Sequence, residues 1–150
     1  NALAAAKAFV TPTLCVTRSE SWMRANHFEE PSIQNALRVS EQHLESVKKA
    51  IKAKNQMVNG TDYPPGDLVD GIPAALHEMY LMFNAGLSPL QAIQSISLTA
   101  AKLIRQEKFL GQVAPGFAAD LLTLSDNPLT DLDSYRDISM IMKDGEIIRS

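Results

Sequence analysis

From Ser32 onward the apolar positions step by alternating fours and threes: Ile33, Leu37, Leu44, Val47 and Ile51, with Ser40 completing the stripe. That period predicts one long amphipathic helix. Lys48, Lys49, Lys52 and Lys54 crowd its last turns, where cations suit the negative end of the helix dipole, and read as a solvated helix end. On either side lie short apolar runs. Phe9 to Val16, rich in β-branched residues, and Met57 to Gly60 each predict a strand, with Pro12 marking a strand end or bulge because proline removes a ladder donor. Ala2 to Ala8 has helical propensity. Residues 17–31 are polar and aperiodic, a predicted loop with one helical turn around Trp22.

Beyond Gly60 the pattern changes twice. Asp62 to Asp67 holds two prolines and a glycine and reads as a loop. A helix is expected from about Leu68 to Ala85, stopped by Gly86. Ser88-Pro89-Leu90-Gln91 restarts it, with Ser88 as N-cap, Pro89 in the first turn and Gln91 closing a capping box. This helix runs to about Arg105, with a break near Ser97–Thr99. After Gln106 the pattern turns to β: Val113, Leu121 to Leu124 and Ile138 to Met142 predict strands. Asp144-Gly145, between Ile141-Met142-Lys143 and Glu146-Ile147-Ile148, predicts a two-residue hairpin turn. Two strands separated by one long helix call for parallel pairing through a right-handed crossover.

Composition changes this picture little. The 150 residues are 45% hydrophobic and 21% charged, values ordinary for a globular chain. A formal charge of −3 offers no basic stripe, so nucleic acid is not an expected partner. No apolar run approaches the roughly 18 residues of a membrane span, so no membrane partner is expected either. Cys15 is the only cysteine, which excludes an internal disulfide and a thiolate metal cage and fits a small buried apolar residue.

Among chemistry-bearing residues, Asp62 stands where a short strand ends, and also where Asp before Pro-Pro-Gly is ordinary turn composition. Tyr63 adjoins it. Trp22 and His27 sit in the predicted loop after the first strand. His77-Glu78 falls mid-helix without the second histidine of a helical zinc motif, so His77 reads as part of a solvated face.

Several segments occur in a telling order. They are Val10-Thr11-Pro12-Thr13-Leu14, Met57 to Asp62 with its terminal Gly60-Thr61-Asp62, Ala85 to Ile93, Thr99 to Ile104, Leu110-Gly111 through Pro115-Gly116 to Ala119-Asp120-Leu121-Leu122, Asn127-Pro128-Leu129, and Ile141 to Ile148. In that order they resemble the C-terminal portion of the amidohydrolase superfamily, especially its imidazolonepropionase-like and prolidase-like members.

The resemblance implies an α/β fold: the last two βα units of a (β/α)8 TIM-type barrel with the helices that follow, over residues 1–105, then part of a small β-sandwich domain over 106–150. Val10 to Leu14 would be the seventh strand, and Met57 to Asp62 the eighth with its terminal Gly60-Thr61-Asp62. A barrel of this type takes about 250 residues, more than this chain has. The resemblance further implies metal-dependent hydrolysis of an amide or cyclic amide C–N bond. Asp62 would touch a divalent metal, zinc above all, take a proton from the metal-activated water and pass it to the departing amine. Tyr63 would contact a small-molecule or dipeptide-like substrate. The family's other metal-site residues, a His-x-His on the first strand, a carboxylated Lys or Glu on the fourth and His on the fifth and sixth, have no counterpart here. The chain by itself is therefore expected to be inactive and not to bind metal tightly. Association into a homo-oligomer is expected through open strand edges. The alternative is a non-catalytic relative serving assembly.

Overall fold

The computed structural model describes residues 2–150; Asn1, where the first expected domain begins, lies outside them. The chain forms two compact units, one ending at Leu87 and the other spanning Ser88–Ser150.

The first unit opens with α1 (Ala2–Ala5) and β1 (Phe9–Val10), continues through α2 (Cys15–Arg18), α3 (Glu20–Ala25) and α4 (Glu30–Lys52), and returns in β2 (Gln56–Met57). β1 and β2 pair in parallel, Phe9 opposite Gln56 and Val10 opposite Met57, as the long intervening helix requires. Val58 N–H extends the ladder to Val10 O at 3.0 Å. α4 buries Ile33, Ser40 and Val47, the heart of the stripe read from the sequence. The apolar runs around both strands are longer than the strands themselves. Leu14 and Cys15 leave the predicted strand after Thr13, whose φ of 51° turns the chain into α2. A positive φ at a β-branched residue is strained, so the surroundings of this turn must hold it.

The expected helix from Leu68 does not start there. Leu68–Val69 (β3) and Ile72–Pro73 (β4) form an antiparallel hairpin, and the helix α5 covers Ala74–Asn84. Asp70 and Gly71 supply φ of 50° and 81°, the geometry of a tight two-residue turn. Likewise the predicted 17–31 loop contains α3 in full and the end of α2. The core of this unit gathers Leu14, Cys15, Met23, Ile33, Val47, Val69, Met79 and Met82.

The second unit holds α6 (Pro89–Ser95), α7 (Leu98–Leu103), β5 (Leu121–Leu124), a 3-10 helix over Leu132–Arg136, β6 (Ile138–Lys143) and β7 (Glu146–Arg149). The capping box forms: Gln91 N–H donates to Ser88 Oγ, and Ser88 N–H donates to Gln91 Oε1 at 2.9 Å. The helix breaks between Ser95 and Leu98, where a break was expected. β5, β6 and β7 make an antiparallel sheet in that order, closed by the Asp144-Gly145 turn at φ of 51° and 83°. Asp120 ties off this turn, its Oδ1 accepting the Asp144 N–H at 2.8 Å and its carboxylate pairing with Lys143. Val113 lies in irregular chain rather than in the strand predicted for it.

Candidate active site

The ends of β1 and β2 place two turns side by side in the first unit. Gly60 follows β2, and a Cβ built on it would lie 2.6 Å from Thr11 Cγ2, just after β1. Glycine is what lets the backbone carrying Thr61 and Asp62 run this close to β1. Asp62 sits at φ 61°, in the left-handed region that Asp tolerates better than most residues. Its side chain is exposed, and among the described residues nothing hydrogen-bonds its carboxylate. Thr61 Oγ1 accepts the N–H of Tyr63 at 3.1 Å.

Tyr63 is half-buried. Its ring lies flat on Trp22, centroids 3.7 Å apart and planes 11° apart, and its hydroxyl donates to Cys15 O at 2.9 Å. Burial, the largest influence, pushes its phenol up to about 12. Trp22 is tilted against Phe28 at 5.5 Å and donates its indole N–H to Asp67 Oδ2 at 2.9 Å. Beside it an open cavity of about 300 Å³ is lined by Ser21, Trp22, Asn26, Asp67, Leu68 and Asp70, among others. Trp22 therefore borders a recess, while His27 is an exposed turn residue at φ 59°.

Beneath these turns lies a group that sequence reasoning missed. Glu78, on α5, is 0% exposed, and its two carboxylate oxygens accept the N–H groups of Leu14 and Cys15, each at 2.8 Å. Burial raises its carboxyl above the ordinary range, an effect opposed by the two backbone N–H groups, the Cys15 thiol and His43. Burial also pushes the Cys15 thiol up, helped by the Glu78 charge. His43 reaches from α4 to the same segment: Nε2 is 2.9 Å from Pro12 O and Nδ1 2.9 Å from Thr17 Oγ1. A carbonyl only accepts, so Nε2 carries the proton in that contact. His77, read as part of a solvated face, is instead half-buried. Its Nε2 is enclosed without a partner among the described residues, and burial lowers its pKa. Both residues lie on α5, which begins directly after the unexpected β3–β4 hairpin.

As for a metal, Asp62 presents an exposed carboxylate in the turn beyond β2, chemically suited to be a single donor. Among the described residues no group of three His, Cys, Asp or Glu side chains is placed to hold an ion.

Comparison with known proteins names the class. Residues 1–148 match the amidohydrolase family, and the chain belongs to it. Ochratoxinase from Aspergillus niger is 29% identical over 115 residues, covering 74% of this chain and 23% of that protein. Adenine deaminase from Halalkalibacterium halodurans is 37% identical over 73 residues, 48% of this chain and 12% of that protein. The fold matches that of an Xaa-Pro dipeptidase with methionine bound in its active site, with a TM-score of 0.81 and 25% identity over 99% of this chain and 36% of that one. Molinate hydrolase matches with a TM-score of 0.72 and 26% identity, over 97% of this chain and 33% of its own. The α/β fold is thus that of amidohydrolase TIM-barrel proteins, and the chain spans well under half the length of each relative.

Proposed function

We propose that this chain supplies the C-terminal part of a metal-dependent hydrolase acting on a carbon–nitrogen bond. In this reading β1 and β2 are the seventh and eighth strands of a (β/α)8 barrel, residues 1–105 belong to the barrel, and residues 106–150 are part of a small β-sandwich domain. The observation that carries the reading is the place of Asp62: an unpartnered, exposed carboxylate just beyond a strand paired in parallel with its neighbour. Groups at the C-terminal ends of parallel strands do the chemistry in such barrels. The dipeptidase and deaminase among the relatives are named for reactions at C–N bonds, which supports the same reaction type here.

Asp62 acts as general base, taking a proton from the attacking water and delivering it to the leaving amine, and serves as one ligand of a divalent cation, with zinc the first choice. When bound, that cation would lower the pKa of the water to about 7. The solvent-facing part of Tyr63 borders the mouth as a contact for a small-molecule or dipeptide-like substrate. The chain alone, holding one donor, is inactive and binds no metal tightly, and the open edges of β1 and β2 drive self-association.

The test is Asp62→Asn in the complete enzyme, assayed against amide and dipeptide substrates with zinc supplied. Loss of turnover by about 10²- to 10⁴-fold is the expected result for removing a general base. Wild-type turnover in the variant would overturn the assignment. For the isolated 150 residues, near-stoichiometric zinc by elemental analysis would overturn the partial-site reading, and a compact monomer in sedimentation would overturn self-association.

A further inference from the structure

Nothing among the described residues holds the Asp62 carboxylate directly, so its direction depends on the backbone of residues 61–63. That backbone is in turn fixed from the side by Tyr63. The phenol is committed at two points: its ring lies flat on Trp22, and its hydroxyl donates to Cys15 O. The residue that receives it is itself clamped from its amide side, because Glu78 takes the N–H groups of Leu14 and Cys15 with its two oxygens. An apolar side chain at position 78 would fill the same interior without the cost of burying a carboxylate. What the glutamate adds is geometry: it satisfies two backbone donors just past Thr13 and stops that strained turn from relaxing.

We propose that the chain Glu78–Cys15–Tyr63–Trp22 is a latch that sets the orientation of Asp62, with Tyr63 and Glu78 as positioning residues. The inference rests on the reading of Asp62 as proton acceptor. Three contacts converge on Tyr63, the ring stack, the hydroxyl to Cys15 O and the Thr61 Oγ1 acceptor for its amide, and the Glu78 clamp holds Cys15 behind them. A phenylalanine would keep the stack, so the hydroxyl is the part that ties the Asp62 turn to the β1 turn. Misplacing a reacting group by an ångström suffices to slow chemistry by orders of magnitude while leaving binding intact.

The experiment compares Tyr63→Phe, Glu78→Gln and Asp62→Asn in the complete, metal-loaded enzyme. Tyr63→Phe keeps the ring and loses the tie, and is expected to lower kcat by about 10- to 100-fold with KM within about twofold. Metal content and melting temperature should stay close to wild type. Glu78→Gln turns an amide N–H toward a backbone N–H and is expected to show the same split, which provides a reading should Tyr63→Phe fold poorly. An inactive Asp62→Asn beside Tyr63→Phe and Glu78→Gln enzymes of wild-type kcat, or altered in KM alone, overturns the latch and leaves Asp62 as base. An active Asp62→Asn overturns the reading of Asp62 and the latch with it.

Discussion

Gly60 and Thr11 meet so closely that a Cβ on the first would lie 2.6 Å from Cγ2 of the second. Thr11 is β-branched and stiff about χ1, so its methyl has little room to yield. Gly60→Ala is expected to destabilise the fold by about 1–3 kcal/mol through overpacking, and to displace the Asp62 turn. Denaturant midpoints of the two proteins check it; equal midpoints would show that the strand ends separate freely.

Glu78 makes stability depend on pH with a definite sign. Its carboxyl is raised above 4.5 in the folded protein, so between 4.5 and its folded value the native state holds more protons than the unfolded chain. Its contribution is fully present below 4.5 and is lost as pH rises through the raised value. Glu78→Gln should remove that slope, so the stability gap between wild type and variant should narrow with rising pH. Glu78→Ala should cost on the order of 2 kcal/mol for each N–H left without an acceptor. Unfolding curves across mildly acid to neutral pH decide the matter; parallel curves would contradict the raised carboxyl.

Cys15 is 0% exposed, and burial together with the Glu78 charge keeps its thiol protonated. The thiolate is the reactive form. A colorimetric thiol reagent should find no reactive thiol in the native protein and one after denaturation, since the chain has a single cysteine. Rapid native labelling would mean that the β1 turn opens readily.

Gly111 crosses the start of α7 at φ 87°, where a Cβ would lie 2.8 Å from Leu98 Cα and 2.9 Å from Leu98 N and Ser97 C. Backbone cannot step aside as a side chain does. Gly111→Ala should therefore cost on the order of 2–4 kcal/mol, combining left-handed strain with the clash. Thermal unfolding at wild-type temperature in the variant would refute it.

Local signals in the sequence were readable where local physics decides the outcome. The α4 stripe, the Ser88–Gln91 box and the Asp144-Gly145 turn each depend on residues close in the chain. Asp70-Gly71 carries the same hairpin dipeptide between apolar pairs, and Pro73, which a helix interior excludes, marks the later start; only the apolar run from Leu68 mimics a longer helix. Glu78 was beyond reach for a different reason. Its partners lie 63 and 64 residues away, and neither helix period nor polarity marks a buried glutamate as a backbone acceptor. Thr13 likewise gives no warning of its left-handed φ, which tertiary contacts impose. The position of Asp62 after a parallel strand was legible; the Tyr63–Trp22 stack beside it emerges only when α3 is folded over the β2 turn.

The left-handed backbone at position 62 also governs which replacement makes a clean control. Asparagine occupies that region with ease and matches the shape of aspartate, so it subtracts a charge and leaves the bend alone. Alanine or valine would subtract the charge and resist the bend together, and a dead enzyme made that way would confuse chemistry with conformation.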